Sequence, residues 1–369
     1  MPKYLIYGGT PFEHENIDER LIVEKNMFGN NVGNELFFNG TVRSLSDRPE
    51  EEMFRLHENR MRLNEFDGVI LPLANTIRKG CEKVFIDFSN LINGSQVPFV
   101  ITGVGIGSTS NLTPALSPEV VDASAKFFHS VLERTASIGV RGEETYEVCV
   151  NDLGISKDRI KVIGCPSVRF FGKQLKKHPR MHKNFSQDTK IAVYFTAYSY
   201  DNEEAIFLYN IFKHHRRSFV FFTDTVEAEL LWNGKAVPQS RIHDLLPTYR
   251  SHFMLREGRA RFFATQKRLM GCLCTFDFTI GTRIHGIIAS ILSGVPSLLI
   301  CSSLRTLEIA KFHNIPYIMR SEINEKTSLE TLYYKTCMGM MKFYNVYDKQ
   351  LEEYTSFLRE NNLTPSKNF

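Results

Sequence analysis

No apolar run in this chain of 369 residues approaches the ~20 residues that a membrane-spanning helix needs. The first nine residues, Met1 to Gly9, also lack the apolar core of a secretory signal, so the expectation is a cytoplasmic protein. Seven cysteines, odd in number and irregularly spaced, give no disulfide framework and are expected to be reduced and mostly buried. Cys272-Leu-Cys274 is the one close pair; it has no second pair and no nearby His-x-His, so no metal site is expected. Charge of one sign is scarce too. Lysine and arginine number 45 against 41 acids, and a net charge of +4 calls for neither nucleic acid nor an acidic macromolecular partner. There is no internal repeat and no low-complexity tract. The composition, 43% hydrophobic and 23% charged, is that of a soluble globular protein, and the length fits two domains of about 150 to 180 residues.

Strand and helix patterns alternate along both halves. Short apolar runs at 4–7, 68–73, 98–104, 137–140 and 161–163 are bounded by Gly, Pro or Asn and read as strands. Ser117-Pro-Glu opens a helix reaching about Arg134, and a second helix, about Glu143 to Leu153, is closed by Gly154. Residues 170–190 are basic and aperiodic and read as a solvated interdomain linker. The pattern then resumes with strands at 191–198, 219–223, 274–280 and 296–301, and helices near 202–214, 252–270, 284–292 and 303–313. The expected organisation is an α/β domain over 1–172, a linker over 173–190, a second α/β domain over 191–328 and a helical tail over 329–369 that returns to brace the first domain. Parallel sheets place ligands beyond the carboxyl ends of their strands, so residues there should line a cleft between the two domains.

Residues 281 to 296, Gly-Thr-Arg-Ile-His-Gly-Ile-Ile-Ala-Ser-Ile-Leu-Ser-Gly-Val-Pro, set Arg283 and His285 where a strand gives way to a helix. Unpaired N–H groups at a helix start, with two cations beside them, suit phosphate or carboxylate. Thr282 and Gly286 belong to the same turn. The two cations share a face only if 282–285 is extended; otherwise Arg283 pairs with a carboxylate such as Asp277 and His285 merely packs. Arg141 repeats the arrangement at the end of the 137–140 strand, with Gly142 permitting the turn. Asn31, Gly33 and Asn34 lie in a Gly/Asn-rich loop before a helix expected from Glu35, and Gly105 and Gly107 in Gly-Val-Gly-Ile-Gly, which is not the dinucleotide fingerprint. Ser167 follows Gly-Cys-Pro as a ligand contact or a rigid hinge. Arg305, with Glu308 three residues on, reads as a ligand contact or as half of a helical ion pair.

The set Asn31-Val-Gly-Asn34, Gly139-Val-Arg-Gly-Glu-Glu-Thr145, Gly164-Cys-Pro-Ser167 and Gly281-Thr-Arg-Ile-His-Gly286 with Ser293-Gly-Val-Pro296 resembles the polysaccharide pyruvyl transferase family, over about residues 25 to 320. The resemblance implies two Rossmann-like domains facing a central cleft, as in GT-B glycosyltransferases. It implies transfer of pyruvate from phosphoenolpyruvate to a sugar as a ketal, without a metal or a bound cofactor. The chain departs from the family at Pro72-Leu-Ala-Asn75, where members often carry a Gly-Gly pair. A subgroup acting on capsule or cell-surface glycans, or their lipid-linked precursors, is expected. The chemistry needs a proton for the methylene carbon, cations for carboxylate and phosphate, and a base for the hydroxyl. Arg141 and Arg283 suit the clamp and His285, titrating near neutrality, the acid. Competing readings are a sugar-nucleotide glycosyltransferase and an inactive glycan-binding protein on the same fold. A basic stretch, Arg256 to Arg268, with five cations and two phenylalanines, reads as a contact with the inner membrane surface or as a solvated helix face.

Overall fold

The computed structural model describes residues 2–13, 17–107, 114, 116–177, 184–195, 202–237 and 245–369. In the first half, β1 (Tyr4–Ile6), β2 (Met53–Arg55), β3 (Gly68–Leu71) and β4 (Phe99–Ile101) form a parallel sheet in the order β2-β1-β3-β4. A parallel pair, β5 (Ile138–Val140) and β6 (Ile160–Val162), continues it through a bridge between Val104 and Val140. β1, β3 and β4 are buried at every position, which explains why they read as unbroken apolar runs: helices cover both faces. One cover is the Glu82–Asn93 helix, whose Phe85, Phe88 and Ile92 recur at helical spacing and meet Phe127 of the Pro118–Leu132 helix at ring distances of 5.3 and 5.7 Å for the two phenylalanines.

The second half holds β7 (Ile191–Tyr194), β8 (Ser218–Phe222), β9 (Ala260–Phe262), β10 (Phe278–Gly281), β11 (Ser297–Cys301) and β12 (Tyr317–Met319), all parallel and ordered β12-β11-β10-β7-β8-β9. This is a doubly wound Rossmann order. The winding reverses between β7 and β10, and the crevice beyond their carboxyl ends is the place where such sheets bind ligands.

Three segments differ from expectation. Residues 252–270 are not one helix: Phe253–Arg256 is a short helix, Gly258 turns at φ +64°, and Ala260–Phe262 pairs with β8 as β9 before the Gln266–Leu273 helix. The basic stretch is thereby divided, with Arg259 and Phe262 buried and, of its five cations, only Arg256, Lys267 and Arg268 exposed. The strand expected over 274–280 is shorter, because β10 runs only from Phe278 to Gly281, buried throughout. The early part of the expected linker is packed rather than solvated, with Phe170 and Leu175 buried; residues 178–183 of it lie outside the described residues.

The tail is one helix, Leu329–Glu360. Its start packs Leu332, Tyr333 and Cys337 into the core of the second domain, and Tyr347 donates to Gly172 O at 2.9 Å. Tyr354 then meets Ser44 Oγ at 2.9 Å, and Asn361 accepts from Ser137 N at 3.1 Å, both in the first domain. Among the described residues no helix is long and apolar enough to cross a membrane.

Candidate active site

β10 ends in Gly281 at φ +151°, where a Cβ would fall 1.9 Å from Tyr194 O of the neighbouring strand. Only glycine permits this approach, and it brings Thr282 N to Tyr194 O at 3.0 Å, sealing the switch-point crevice. Arg283 is still extended (φ −93°, ψ 99°) and caps the helix that begins at Ile284. His285 is therefore already helical, and the two side chains part company. Arg283 Nε donates to Phe195 O at the end of β7 (3.0 Å) and its Nη2 to Asp224 Oδ2 beyond β8. Its carboxylate is thus Asp224, not Asp277, which instead accepts from Lys190 N. Glu227 stands 3.7 Å from Arg283, and burial and Asp224 hold its carboxyl above the usual range.

His285 turns the other way, into a cluster drawn from both domains. Its Nε2 lies 3.7 Å from Cys165 Sγ, which is 2.9 Å from Ser167 Oγ, and its ring centre is 6.3 Å from that of Phe37. Arg141 is buried at 1% exposure, its guanidinium 4.5 Å from the Phe37 ring, and its Nε and Nη2 have no hydrogen-bond partner. Arg305 Nε is likewise buried without a partner; burial and the charges of Arg141 and Arg283 bring that guanidinium down to about 10. Burial, Arg141 and Arg305 hold His285 well below the ordinary histidine range, so it is neutral at pH 7 rather than titrating near neutrality. Guanidinium donors buried without partners, beside a neutral imidazole, are a set of groups suited to an anion.

Glu308 does not pair with Arg305. Thr145 holds it, through N at 3.0 Å and Oγ1 at 2.8 Å, and burial raises its carboxyl to about 7 despite the nearby Arg141. Gly142 is extended (φ −167°) and makes room for Glu308 rather than permitting a turn; a Cβ there would lie 2.6 Å from Glu308 Cβ.

The remaining expected residues divide. Asn31 donates to Asp224 Oδ1 at 2.6 Å across the domains, and its Oδ1 accepts from Gly33 N at 2.8 Å. Gly33 begins the Gly33–Leu45 helix, two residues earlier than expected, and is bare because His285 occupies the space where a Cβ would stand. Gly105 gives Arg141 its room in the same way. Three expected ligand contacts are turned to packing instead. Asn34 donates to Phe28 O within its own loop (2.9 Å), Gly107 abuts Arg78, and Gly286 abuts the Tyr194 ring. Sequence reasoning missed Asp224 and Glu227; the signal was Asp224-x-x-Glu227 before an apolar run, a capping box whose helix, Thr225–Asn233, also went unread. Among the described residues no group of three or more His, Cys, Asp or Glu is placed to hold a metal.

Fold and site together define a two-domain α/β protein with a cationic cluster, Arg141, Arg283 and Arg305, beside the switch point of its second sheet. The chain belongs to the polysaccharide pyruvyl transferase family, whose model matches residues 31–223. Its two parallel-sheet α/β domains are the Rossmann-like pair that the resemblance implied. It is similar to Anabaena HepE in complex with UDP and glucose, at 10% identity and a TM-score of 0.47 over 98% of each chain. It is also similar to Methanocaldococcus jannaschii UDP-GlcNAc 2-epimerase in complex with UDP-GlcNAc and UDP, at 12% identity and a TM-score of 0.46 over 97% of this chain and 99% of that one. No curated protein sequence matches.

Proposed function

We propose that this protein transfers pyruvate from phosphoenolpyruvate to a pair of hydroxyls on a sugar of a cell-surface or capsular glycan, or its lipid-linked precursor, releasing phosphate and leaving a ketal. The observation that carries the reading is the convergence on His285 of Arg141 and Arg305, one from each domain, with buried donors that have no partner. Phosphoenolpyruvate brings two anionic groups about one carbon apart, and planar guanidinium forks bind both bidentately. Arg283, held at the crevice by Asp224, completes the positive wall.

The anion offsets the charge of Arg141 and Arg305 on His285, so donor binding raises the affinity of His285 for a proton. The imidazolium then delivers that proton to the methylene carbon while one sugar hydroxyl oxygen bonds to the adjacent carbon and gives up its proton. The second hydroxyl oxygen displaces phosphate from the same carbon, and its proton leaves with the phosphate as hydrogen phosphate. No cofactor is consumed. The enzyme would work in the cytoplasm, with Arg256, Lys267 and Arg268 the exposed cations of the basic stretch that would meet anionic headgroups at the inner membrane surface.

The test is incubation with phosphoenolpyruvate and a panel of glycosides, following phosphate release together with the mass of a ketal product. Turnover of a sugar nucleotide in place of phosphoenolpyruvate would overturn the reading in favour of a glycosyltransferase.

A further inference from the structure

A cavity of about 740 Å³ lies beyond the carboxyl ends of β1 and β9. Loop 11–13 and the start of the Glu19–Glu24 helix form one wall. Residues 264–268 and Trp232 form the other, and Glu35 lines it from the Gly33–Leu45 helix. On that helix Gly33 and Phe37, four residues apart, face His285 and Arg141. Glu35, two residues from each, faces away from them. The cavity and the arginine cluster therefore flank a single helix, which is about 10 Å across.

The lining is neither apolar nor of one charge. Trp232 is half-buried, its indole set edge-on to Phe262 at 5.4 Å with the Arg20 guanidinium 6.0 Å from the ring centre. Lys267 and Arg268 are exposed at the rim, and Arg268 lies 3.4 Å from Glu19 Oε2. Glu19 Oε1 is buried with no hydrogen-bond partner. Glu35 accepts from Gln266 N at 3.0 Å and from Asn39 Nδ2 at 3.3 Å. Glu13, Asp18 and Glu19 oppose a polyphosphate, and the charges oppose an apolar ligand. A sugar ring meets both demands, with C–H faces for an indole and hydroxyls that donate to carboxyl oxygens and accept from arginine and lysine. The volume is that of an ordinary ligand site.

We propose that this cavity is a saccharide-binding subsite that holds units of the acceptor glycan beyond the one that reacts. The inference rests on the reading of the protein as a transferase acting on glycans. Because the chain has a single tryptophan, its intrinsic emission reports this cavity directly. The full-length protein is titrated with maltotetraose, cellotetraose and a galactotetraose, each against its monosaccharide, without phosphoenolpyruvate. A saturable change of emission is expected with at least one tetrasaccharide, at an affinity tenfold or more above that of the monosaccharide. Lys267→Ala and Arg20→Ala keep the reporter and alter only exposed side chains. They should weaken that affinity at least tenfold and raise KM for the oligosaccharide acceptor while leaving KM for phosphoenolpyruvate unchanged. Emission indifferent to every saccharide in a protein that turns over phosphoenolpyruvate, or variants with unaltered oligosaccharide KM, would overturn the subsite while leaving the transferase reading standing. Saccharide binding without any phosphate release does the reverse.

Discussion

Arg141 is a full charge taken out of water with two of its donors unsatisfied, an arrangement that costs stability. Replacing it with methionine, of similar length and uncharged, should leave the melting midpoint equal or higher while turnover falls by about 10²- to 10³-fold. Thermal denaturation beside a phosphate-release assay checks this; a midpoint that drops with activity would make Arg141 a structural brace. His285 carries a second prediction. Its resonances in the free protein should titrate well below the ordinary histidine range and move upward when phosphoenolpyruvate is added, because the anion offsets two neighbouring cations. His285→Gln should keep donor binding and lose roughly 10²-fold in turnover, and wild-type activity should decline as pH rises through the donor-bound pKa, since the protonated form is the one required. Parallel loss of binding and turnover would make His285 an anion ligand instead.

At the level of elements, the site is assembled from the segments after β5, β6, β7, β8, β10 and β11, and the fork of Arg283 ties those after β7 and β8 together through Phe195 O and Asp224. Lysine reaches one of these acceptors but not both in one plane. Arg283→Lys should therefore lower kcat/KM by about 10²-fold, and a near-normal lysine variant would sink the fork argument. The strand-to-helix turn bearing Arg283 and His285 was legible because glycine, cation and apolar helix follow one another locally. Their divergence was not, since it depends on whether the helix starts at residue 282 or 284, within the usual uncertainty of a boundary. Asp224 was hidden for a different reason: its partner lies 59 positions away, and nothing local marks it as more than a helix cap. Arg305 and Glu308 had the spacing of a helical pair, yet Thr145, 163 positions from Glu308, offers two donors and wins. β2, β9 and β12 went unread because they are edge strands, less buried than the others and without the unbroken apolar run that marks a strand covered on both faces.

For the molecule as a whole, Glu35 links domain contact to pH. Its carboxyl is pushed from 4.5 up to about 8, chiefly by burial, so the folded protein keeps a proton that the unfolded chain releases above pH 4.5. The folded state then binds more protons, and stability should fall as pH rises from about 4.5 to 8. Chemical denaturation at pH 5.5 and 8.5 should show this loss, and Glu35→Gln should flatten it by on the order of 2 kcal/mol. An unchanged slope would mean that Glu35 is ionised in the folded protein.

The helix Leu329–Glu360 also sets an order of events during synthesis. Ser44 and Ser137 find their partners in Tyr354 and Asn361, and Tyr4 OH accepts from Thr364 N at 3.2 Å, so the first domain is walled by residues translated hundreds of positions later. Domains commonly finish in the order in which they leave the ribosome. Here the first must wait, its sheet formed but one flank of its core open to water and to chaperones until the second domain has been made. Residues 1–177 expressed alone should accordingly be aggregation-prone and lack a cooperative melt, and adding the 329–369 segment in trans should partly restore it.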